Sequence, residues 1–192
     1  MKAAAAPAKQ YWLMKTEPDG FGIADLERVK IEPWTGVRNY MARNYMRQMS
    51  VGDGVLFYHS SVDPPGVAGL ARVETTGVVD ATQFDPESKY YEAKSKREAP
   101  LWDCVTVAYV ETLPTYVELA ALRAEPALAK MMCLRKGMRL SVQPVTAAEY
   151  SKIVTMGHAK PRPATATARK APKPEPKPKP KPKPKPTKRR AP

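Results

Sequence analysis

Short apolar runs separated by turn residues recur along most of the chain. The run at residues 11–15 (Tyr-Trp-Leu-Met-Lys) is followed by Pro18 and Gly20, and the run that ends at Ser60 follows the turn sequence at residues 51–54. Apolar runs of this length that are bounded by Gly, Pro and Asp predict strands. The same reasoning predicts strands within residues 11–15, 51–60, 67–79, 102–111 and 139–144, with Pro144 ending the last one.

Helical patterns lie between the predicted strands. Apolar side chains recur on one face of residues 23–28 and 37–49, which predicts two helices. Two Thr-x-x-Glu sequences, at residues 115–118 and 146–149, match the capping box and predict helices through about Arg123 and Val154. Pro126 predicts the first position of a further helix through Leu134.

These elements predict an α+β fold. About five or six strands with short helices inserted between them favour a small closed or half-closed barrel. Residues 80–100 interrupt this pattern with charged and turn residues. A loop of that length inside a compact domain is unusual, and such loops often carry function.

Positive charge is concentrated at the C-terminus. The chain has 192 residues and a formal charge of +13. Residues 159–192 hold 13 Lys and Arg and one acid, Glu175, a charge of +12 that leaves +1 for residues 1–158. Alternating Pro and Lys cannot build a core and predict an extended, polyproline-like chain. We therefore predict a disordered lead-in at residues 1–9, a folded domain at 10–157 and a disordered basic tail at 158–192.

Cysteine usage and hydropathy indicate an intracellular protein. Cys104 and Cys133 are the two cysteines, and their separation fits neither a disulfide scaffold nor a zinc site. The Ala-rich N-terminus is too short and too weakly apolar for a signal segment, and nothing later approaches a membrane span. We expect no cofactor, metal or membrane partner, and a location in the cytoplasm or nucleoid of a bacterium or in the nucleus of a eukaryote.

No sequence motif for catalysis is present. The chain lacks Gly-x-Ser-x-Gly, a Walker loop, His-Glu-x-x-His and Gly-x-Gly-x-x-Gly. Its two histidines are His59 and His158, and no pair of acids is placed by a recognisable motif. We therefore expect no catalytic residues.

The stretch between Trp34 and Ser60 contains the side-chain types that a nucleobase pocket needs. Such a pocket requires an aromatic wall for stacking and fixed donors and acceptors for the base edge. Candidates of both kinds are Trp34, Asn39, Tyr58, His59 and Ser60, and cations that could contact phosphates are Lys15, Arg38 and Arg43. On composition alone the commoner roles of these residue types are structural: a core tryptophan, a hydrogen-bonded histidine and a solvated arginine face.

Several motifs together resemble the EVE domain family. They are Tyr11-Trp-Leu-Met-Lys-Thr-Glu-Pro18, Trp34-Thr-Gly-Val-Arg-Asn-Tyr40 with Ala42-Arg-Asn44, Val51-Gly-Asp53, Phe57-Tyr-His-Ser60, Asp85-Pro86 with Tyr90-Tyr91, and Leu140-Ser-Val-Gln-Pro144. The resemblance covers about residues 10–154. Thr16 and Tyr150 depart mildly from the family pattern.

This resemblance implies a fold, a function and a set of pocket residues. The fold is a PUA-like mixed β pseudo-barrel, and the function is non-catalytic recognition of a modified base, with 5-methylcytosine-type modifications leading. Carried onto this sequence, the family's pocket falls on Trp34, Val37, Arg38, Asn39, Tyr58, His59, Ser60, Ser141, Val142 and Gln143. Lys15 is expected to border it.

The expected partners are modified DNA or RNA, and non-specific nucleic acid bound through the tail. The tail resembles the Lys/Pro/Ala-rich tails of bacterial histone-like proteins, and its charge can bind phosphates without recognising sequence. We expect a monomer. Two alternatives remain: a PUA-like nuclease or hydrolase that uses His59 with Lys15 or Tyr58, and a DNA-compacting protein that acts mainly through its tail.

Overall fold

Strands and short helices alternate along the folded part of the chain. The computed structural model describes residues 8–159. The strands are β1 (Tyr11–Thr16), β2 (Ile31–Pro33), β3 (Gly54–His59), β4 (Gly66–Val79), β5 (Asp103–Glu118) and β6 (Val142–Val145). The α-helices are α1 (Ile23–Val29), α2 (Tyr40–Met46), α3 (Leu119–Ala124) and α4 (Ala147–His158), and single 3-10 turns lie at Ala81–Phe84, Pro126–Leu128 and Met132–Leu134.

The six strands form one sheet in the order β2-β5-β4-β3-β1-β6. The central strands β1 and β3 are parallel, and every other pair is antiparallel. A parallel pair needs a crossover connection, and α1, β2 and α2 provide it. The C-terminal ends of β1 and β3 therefore lie side by side, with Thr16 opposite His59. The α+β prediction is confirmed.

Apolar side chains cover both faces of the central strands. Trp12 and Met14 pack into one core cluster, whereas Leu13 between them packs into a second cluster on the opposite face. Phe57 and Leu56 of β3 divide in the same way. Because successive strand residues point to opposite faces, a strand buried on both sides is a continuous apolar run.

Asp53 holds the turn before β3. This carboxylate is 2% exposed and accepts hydrogen bonds from Gln10 N, Trp12 Nε1 and Ser50 N, each at 2.9 Å. A buried charge is stable when it is hydrogen-bonded, and here the donors come from two chain segments. Asp53 therefore joins the start of β1 to the start of β3.

The helix predicted over residues 37–49 is shorter in the structure. It begins at Tyr40, because Asn39 is extended and its Oδ1 accepts hydrogen bonds from Met41 N at 2.9 Å and Ala42 N at 3.1 Å. This is an N-cap. Residues 34–39 consequently form a loop between β2 and α2.

The two capping-box predictions have opposite outcomes. Thr146 Oγ1 accepts from Glu149 N at 3.2 Å and Glu149 accepts from Thr146 N at 2.8 Å, so the predicted box at the start of α4 is confirmed. The prediction at Thr115 is wrong, because residues 115–118 belong to β5, where Val117 and Glu118 pair with Val67 and Gly66 of β4. Strand pairing supplies those backbone groups with partners, so α3 starts only at Leu119.

Two further local predictions are wrong. Residues 126–134 form two separate 3-10 turns rather than one helix, although Pro126 does start the first. Pro144 does not end β6, which continues to Val145 and pairs with β1. Proline is tolerated there because β6 is an edge strand of the sheet.

The predicted lead-in at residues 1–9 and the predicted tail at 158–192 lie largely outside the described residues. None of the helices within residues 8–159 is both long enough and apolar enough to cross a membrane. Cys104 and Cys133 are free thiols.

Candidate functional site

An open cavity of about 590 Å³ lies where the adjacent ends of β1 and β3 meet the loop after β2. Thr16 and Ser60 come from those two strand ends, and Trp34 and Val37 come from the loop. Small-molecule sites in proteins range over about 300–1,000 Å³. The cavity is therefore large enough for a nucleobase with its sugar.

Three aromatic side chains line this cavity: Phe21, Trp34 and Tyr90. Trp34 is 7% exposed, and its ring meets Phe57 edge-on with the ring centroids 5.5 Å apart. Its backbone N–H donates to Val105 O at 2.8 Å, which fixes the loop to β5. Trp34 is thus a rigid wall, whereas the half-buried Tyr90 leaves more of its ring open.

Gly36 lets the Tyr90 ring lie directly against the backbone. Its φ is +80°, and a Cβ built there would lie 2.6 Å from Tyr90 Cε2. Any side chain at this position would collide with the ring and would also strain the backbone. The glycine therefore brings the loop at residues 80–100 into the cavity wall.

Asp80 and Arg38 fasten this loop to the segment after β2. Asp80 Oδ2 accepts from Gly36 N at 2.9 Å and from Arg38 Nη1 at 2.7 Å, while its Oδ1 accepts from Thr82 N at 2.9 Å. Arg38 also donates to Tyr90 O from Nε at 2.8 Å and from Nη2. We call Gly36, Arg38, Asp80, Thr82 and Tyr90 the Asp80 clasp.

The charge state of Asp80 is fixed by these contacts. Burial opposes ionisation, but hydrogen bonds from Arg38, Thr82 and Gly36 hold the pKa of the Asp80 carboxyl below its ordinary value. The carboxylate is therefore ionised at neutral pH and paired with Arg38. In consequence, the clasp holds Tyr90 at the cavity through an ion pair that is largely shielded from water.

Cations and carboxylates both line the cavity. The cations are Lys15, Lys89 and Arg139 and the carboxylates are Glu17 and Glu32, so the lining has a net charge of +1. Burial lowers the pKa of Lys15, against an opposing effect of Cys133. A positively charged rim suits a ligand that carries phosphate.

Two serines supply polar groups at the strand ends. Ser60 Oγ donates to Thr16 O at 3.0 Å, which leaves its oxygen free to accept. Ser141 lines the cavity just before β6, and its carbonyl oxygen accepts from Lys15 N at 2.7 Å. Both serines therefore place polar groups in the cavity lining.

Five of the predicted site residues line the cavity: Lys15, Trp34, Val37, Ser60 and Ser141. The other predicted residues lie outside its lining, and each has a partner or packing environment of its own.

Asn39 and His59 each hold the start of a helix. Asn39 is exposed and caps α2 through its Oδ1. His59 Nε2 accepts from Ile23 N, the first residue of α1, at 3.1 Å. Burial lowers the pKa of His59, which favours the neutral ring that this hydrogen bond requires. Asn39 Oδ1 and His59 Nε2 are therefore already bonded to backbone N–H groups.

The remaining predicted residues make contacts within the fold and do not line the cavity. Arg38 belongs to the Asp80 clasp, and Arg43 Nη1 donates to Leu101 O at 2.6 Å. Tyr58 packs in the core cluster opposite Trp34, where burial, followed by the effect of Cys133, raises its pKa to about 12. Val142 is 0% and Gln143 is 1% exposed, and Gln143 Nε2 donates to Leu140 O at 2.7 Å.

Sequence reasoning missed several cavity residues. They include Phe21, Glu32, Lys89, Tyr90 and Arg139. Tyr90 stood in a motif that supported the family resemblance, and the unusual length of the 80–100 loop was the signal that it had a role. The others carry no local pattern, because only the folded sheet brings them to one place.

Together the sheet and this cavity define a small α+β domain whose aromatic-walled, net-positive cleft can hold a planar ligand. Residues 10–156 match the EVE domain, and the chain belongs to that family. Its fold is the PUA-like α+β fold that the resemblance implied.

Relatives and solved structures agree with this assignment. Thymocyte nuclear protein 1 of Danio rerio is 38% identical, and the match covers 82% of this chain and 76% of the relative. A crystal structure of a Pseudomonas putida protein is 46% identical, with a TM-score of 0.74, and the match covers 77% of this chain and 99% of that one. Human THYN1 in complex with 5-methylcytosine-containing DNA is 34% identical, with a TM-score of 0.73, over 80% of this chain and all (100%) of that one.

Proposed function

We propose that this protein is a non-catalytic reader of a modified base in DNA or RNA, with 5-methylcytosine-type modifications as its leading ligands. The main support for this proposal is the 590 Å³ cavity, which combines aromatic walls, serine hydroxyls and a cationic rim. The human relative whose structure contains 5-methylcytosine DNA supports the choice of ligand, since it shares the fold and 34% of the sequence.

The base enters the cavity flipped out of its stack. Flipping costs a few kcal/mol. Stacking on an aromatic side chain recovers about 1–3 kcal/mol per base. Tyr90 offers the more open ring and Trp34 the fixed wall, while Ser60 and Ser141 face the base edge. Lys15, Lys89 and Arg139 contact phosphate.

Asn39, His59 and Arg38 act indirectly in this proposal. Asn39 and His59 hold α2 and α1, and Arg38 holds Tyr90 through the Asp80 clasp. Val142 and Gln143 support the strand that presents Ser141. They position the cavity wall rather than touch the base.

Discrimination by a methyl group alone is small. One buried methyl contributes about 0.8 kcal/mol, or roughly a factor of four in affinity. Larger preferences require contacts to the polar edge of the base as well.

A titration of paired oligonucleotides tests the proposal. Fluorescent oligonucleotides with one central cytosine or 5-methylcytosine are titrated with the wild-type chain and with Tyr90→Leu. Loss of one stacking surface is expected to weaken binding about 10-fold. Tyr91→Leu is the matched control, because Tyr91 is 47% exposed and does not line the cavity. Equal affinity for modified and unmodified bases across a broad panel would rule out the reader function.

A non-catalytic role agrees with the contacts of His59. Its Nε2 is bonded to Ile23 N and the ring lies outside the cavity lining, so it does not face a bound nucleotide. Incubation of the protein with labelled DNA and RNA should yield no cleaved product, and turnover that disappears in His59→Gln would favour the nuclease alternative.

We propose that the basic tail adds non-specific phosphate binding. Its charge of +12 would raise the local concentration of nucleic acid near the cavity, and this contribution should fall steeply with salt. Deletion of residues 160–192 should reduce affinity at low salt and leave the preference for the modified base unchanged. A tail of equal length with Lys and Arg replaced by Gln separates charge from length. Unchanged affinity in both variants would make the tail a bystander.

We further propose that the protein is a monomer that acts on nucleic acid in the nucleus of a eukaryote or in the cytoplasm or nucleoid of a bacterium.

A further inference from the structure

Glu32 is a carboxylate in the wall of the cavity. It is half-buried, it lines the cavity, and within residues 8–159 it makes neither a side-chain hydrogen bond nor an ion pair. Glu17, the other acid of the lining, is exposed and accepts a hydrogen bond from Ser61 Oγ at 3.1 Å. The two acids therefore differ, because Glu32 alone keeps its full accepting capacity for a ligand.

The backbone places Glu32 beside the aromatic wall. Residues two apart in extended chain point to the same side, so Glu32 of β2 faces the same way as Trp34. Glu32 N and O belong to the ladder with β5, where the residue pairs with Val107. The carboxylate is consequently held on a rigid strand next to the ring that walls the cavity.

An ionised carboxylate can only accept hydrogen bonds. Among the groups at position 4 of a pyrimidine, it accepts a hydrogen bond from the amino group of cytosine and repels the keto oxygen of thymine. The cationic rim cannot make this distinction, since it attracts every phosphate equally. A carboxylate that faces position 4 of a pyrimidine in this cavity thus favours an amino group over a keto oxygen.

We propose that Glu32 accepts a hydrogen bond from the exocyclic amino group of the bound base, so that the cavity prefers a pyrimidine with an amino group at position 4 to one with a keto oxygen there. This inference rests on the proposed reader function and names the chemical group that the reader requires besides the modification.

The test uses pyrimidines that carry the same methyl group. 5-Methylpyrimidin-2-one differs from 5-methylcytosine only by loss of the amino group, whereas thymine differs at position 4 and also carries N3–H. Oligonucleotides place 5-methylcytosine, thymine or 5-methylpyrimidin-2-one opposite an abasic site, so that no base loses a pairing partner. Thymine has a keto oxygen in place of the amino group, and 5-methylpyrimidin-2-one has only hydrogen. The wild-type full chain is expected to bind 5-methylcytosine about 10-fold more tightly than either analogue.

The Glu32→Gln variant should bring these affinities close together, because a Gln side chain can turn either its amide N–H or its carbonyl oxygen towards the base. The readout is the ratio of affinities, since removal of a negative charge strengthens binding of every oligonucleotide. Glu98→Gln is the matched control: Glu98 is exposed and outside the cavity, and its variant has the same change in charge. It should keep the wild-type ratio. Circular dichroism of each variant checks folding.

The outcomes separate this inference from the reader function. If wild-type protein prefers 5-methylcytosine to cytosine but binds thymine and 5-methylpyrimidin-2-one equally well, the role of Glu32 is refuted and the reader function stands. The same role is refuted if Glu32→Gln keeps the wild-type ratio. If wild-type protein shows no preference among modified and unmodified bases, both fail. Equal wild-type affinities refute the role of Glu32 even if a variant does not fold.

Discussion

Replacement of Asp80 by asparagine tests the clasp that holds the cavity wall. The carboxylate is 1% exposed and accepts hydrogen bonds from Gly36 N, Arg38 Nη1 and Thr82 N. An amide has one accepting oxygen instead of two and no charge. Its N–H groups would face donors that now point at Oδ2, and Arg38 would lose its counter-ion.

The cost of this substitution can be worked from the structure. Breaking a buried ion pair by removal of one partner costs about 3–5 kcal/mol. The Arg38 side chain is 20% exposed, and the new amide oxygen can still accept from Thr82 N, so part of the cost is recovered. These corrections favour the lower end of the range, about 3 kcal/mol. A domain of this size loses about 2–4 °C in Tm per kcal/mol, which predicts a fall of about 6–12 °C.

Thermal unfolding followed by circular dichroism measures the change, and oligonucleotide titration follows the cavity. Asp85→Asn is the control, because Asp85 is exposed in the same loop and an amide oxygen can replace the one that accepts from Glu87 N at 3.0 Å. Surface changes of this kind stay within about 0.5 kcal/mol. Asp80→Asn should also weaken base binding, because Tyr90 is no longer held.

The pH dependence of the free energy of unfolding gives a second measure of the contact between Asp80 and Arg38. The pKa of Asp80 in the folded protein lies below its ordinary value of 3.8, so the unfolded chain takes up the proton first as the pH falls. The stabilisation is full above the unfolded pKa and disappears as the pH falls through the folded pKa. The difference in stability between wild type and Asp80→Asn should therefore narrow in that acidic range. An Asp80→Asn Tm within 1–2 °C of wild type, roughly the effect of a surface change, would refute the reasoning.

Three further changes test individual contacts. Asn39→Ala should cost about 1 kcal/mol through loss of the α2 N-cap, whereas Asn39→Asp should keep both stability and the base preference. Loss of base preference in Asn39→Asp would instead support direct contact. Because burial lowers the pKa of His59, whose neutral Nε2 accepts from Ile23 N, wild-type stability should be constant above the ordinary value of 6.5 and fall as the pH drops through the folded pKa. Chemical denaturation at several pH values should show that the stability of His59→Gln falls less over this pH range than that of wild type. Gly36→Ala should push Tyr90 from the cavity, with lower Tm and weaker binding, and unchanged values of both would contradict the close contact.

Local sequence determined much of the fold. The apolar runs of β1 and β3 predict strands buried on both faces, because such strands need continuous hydrophobic residues. The Thr146–Glu149 box forms in the structure because its partners lie within one turn. The family motifs also brought Trp34 and Ser60 forward as cavity candidates, and both line it.

Tertiary structure determined which of the two Thr-x-x-Glu sequences starts a helix. It also determined which residues meet in the cavity wall. The Thr115–Glu118 sequence matches a capping box as well as Thr146–Glu149 does, but it lies in β5, where pairing of Val117 and Glu118 with β4 keeps it extended. Asn39 and His59 have side chains suited to a base edge. In the folded chain, however, Asn39 Oδ1 and His59 Nε2 accept hydrogen bonds from backbone N–H groups at the starts of α2 and α1.

The cavity itself depends on contacts between distant residues. Arg38 and Asp80 are 42 positions apart, and Glu32 and Tyr90 share the cavity lining without any local pattern that links them. Hydrophobic periodicity is a property of a few neighbouring residues, so it predicts strands and helices. A cavity wall forms where separate strands end side by side, and only the packing of the sheet determines which side chains meet there.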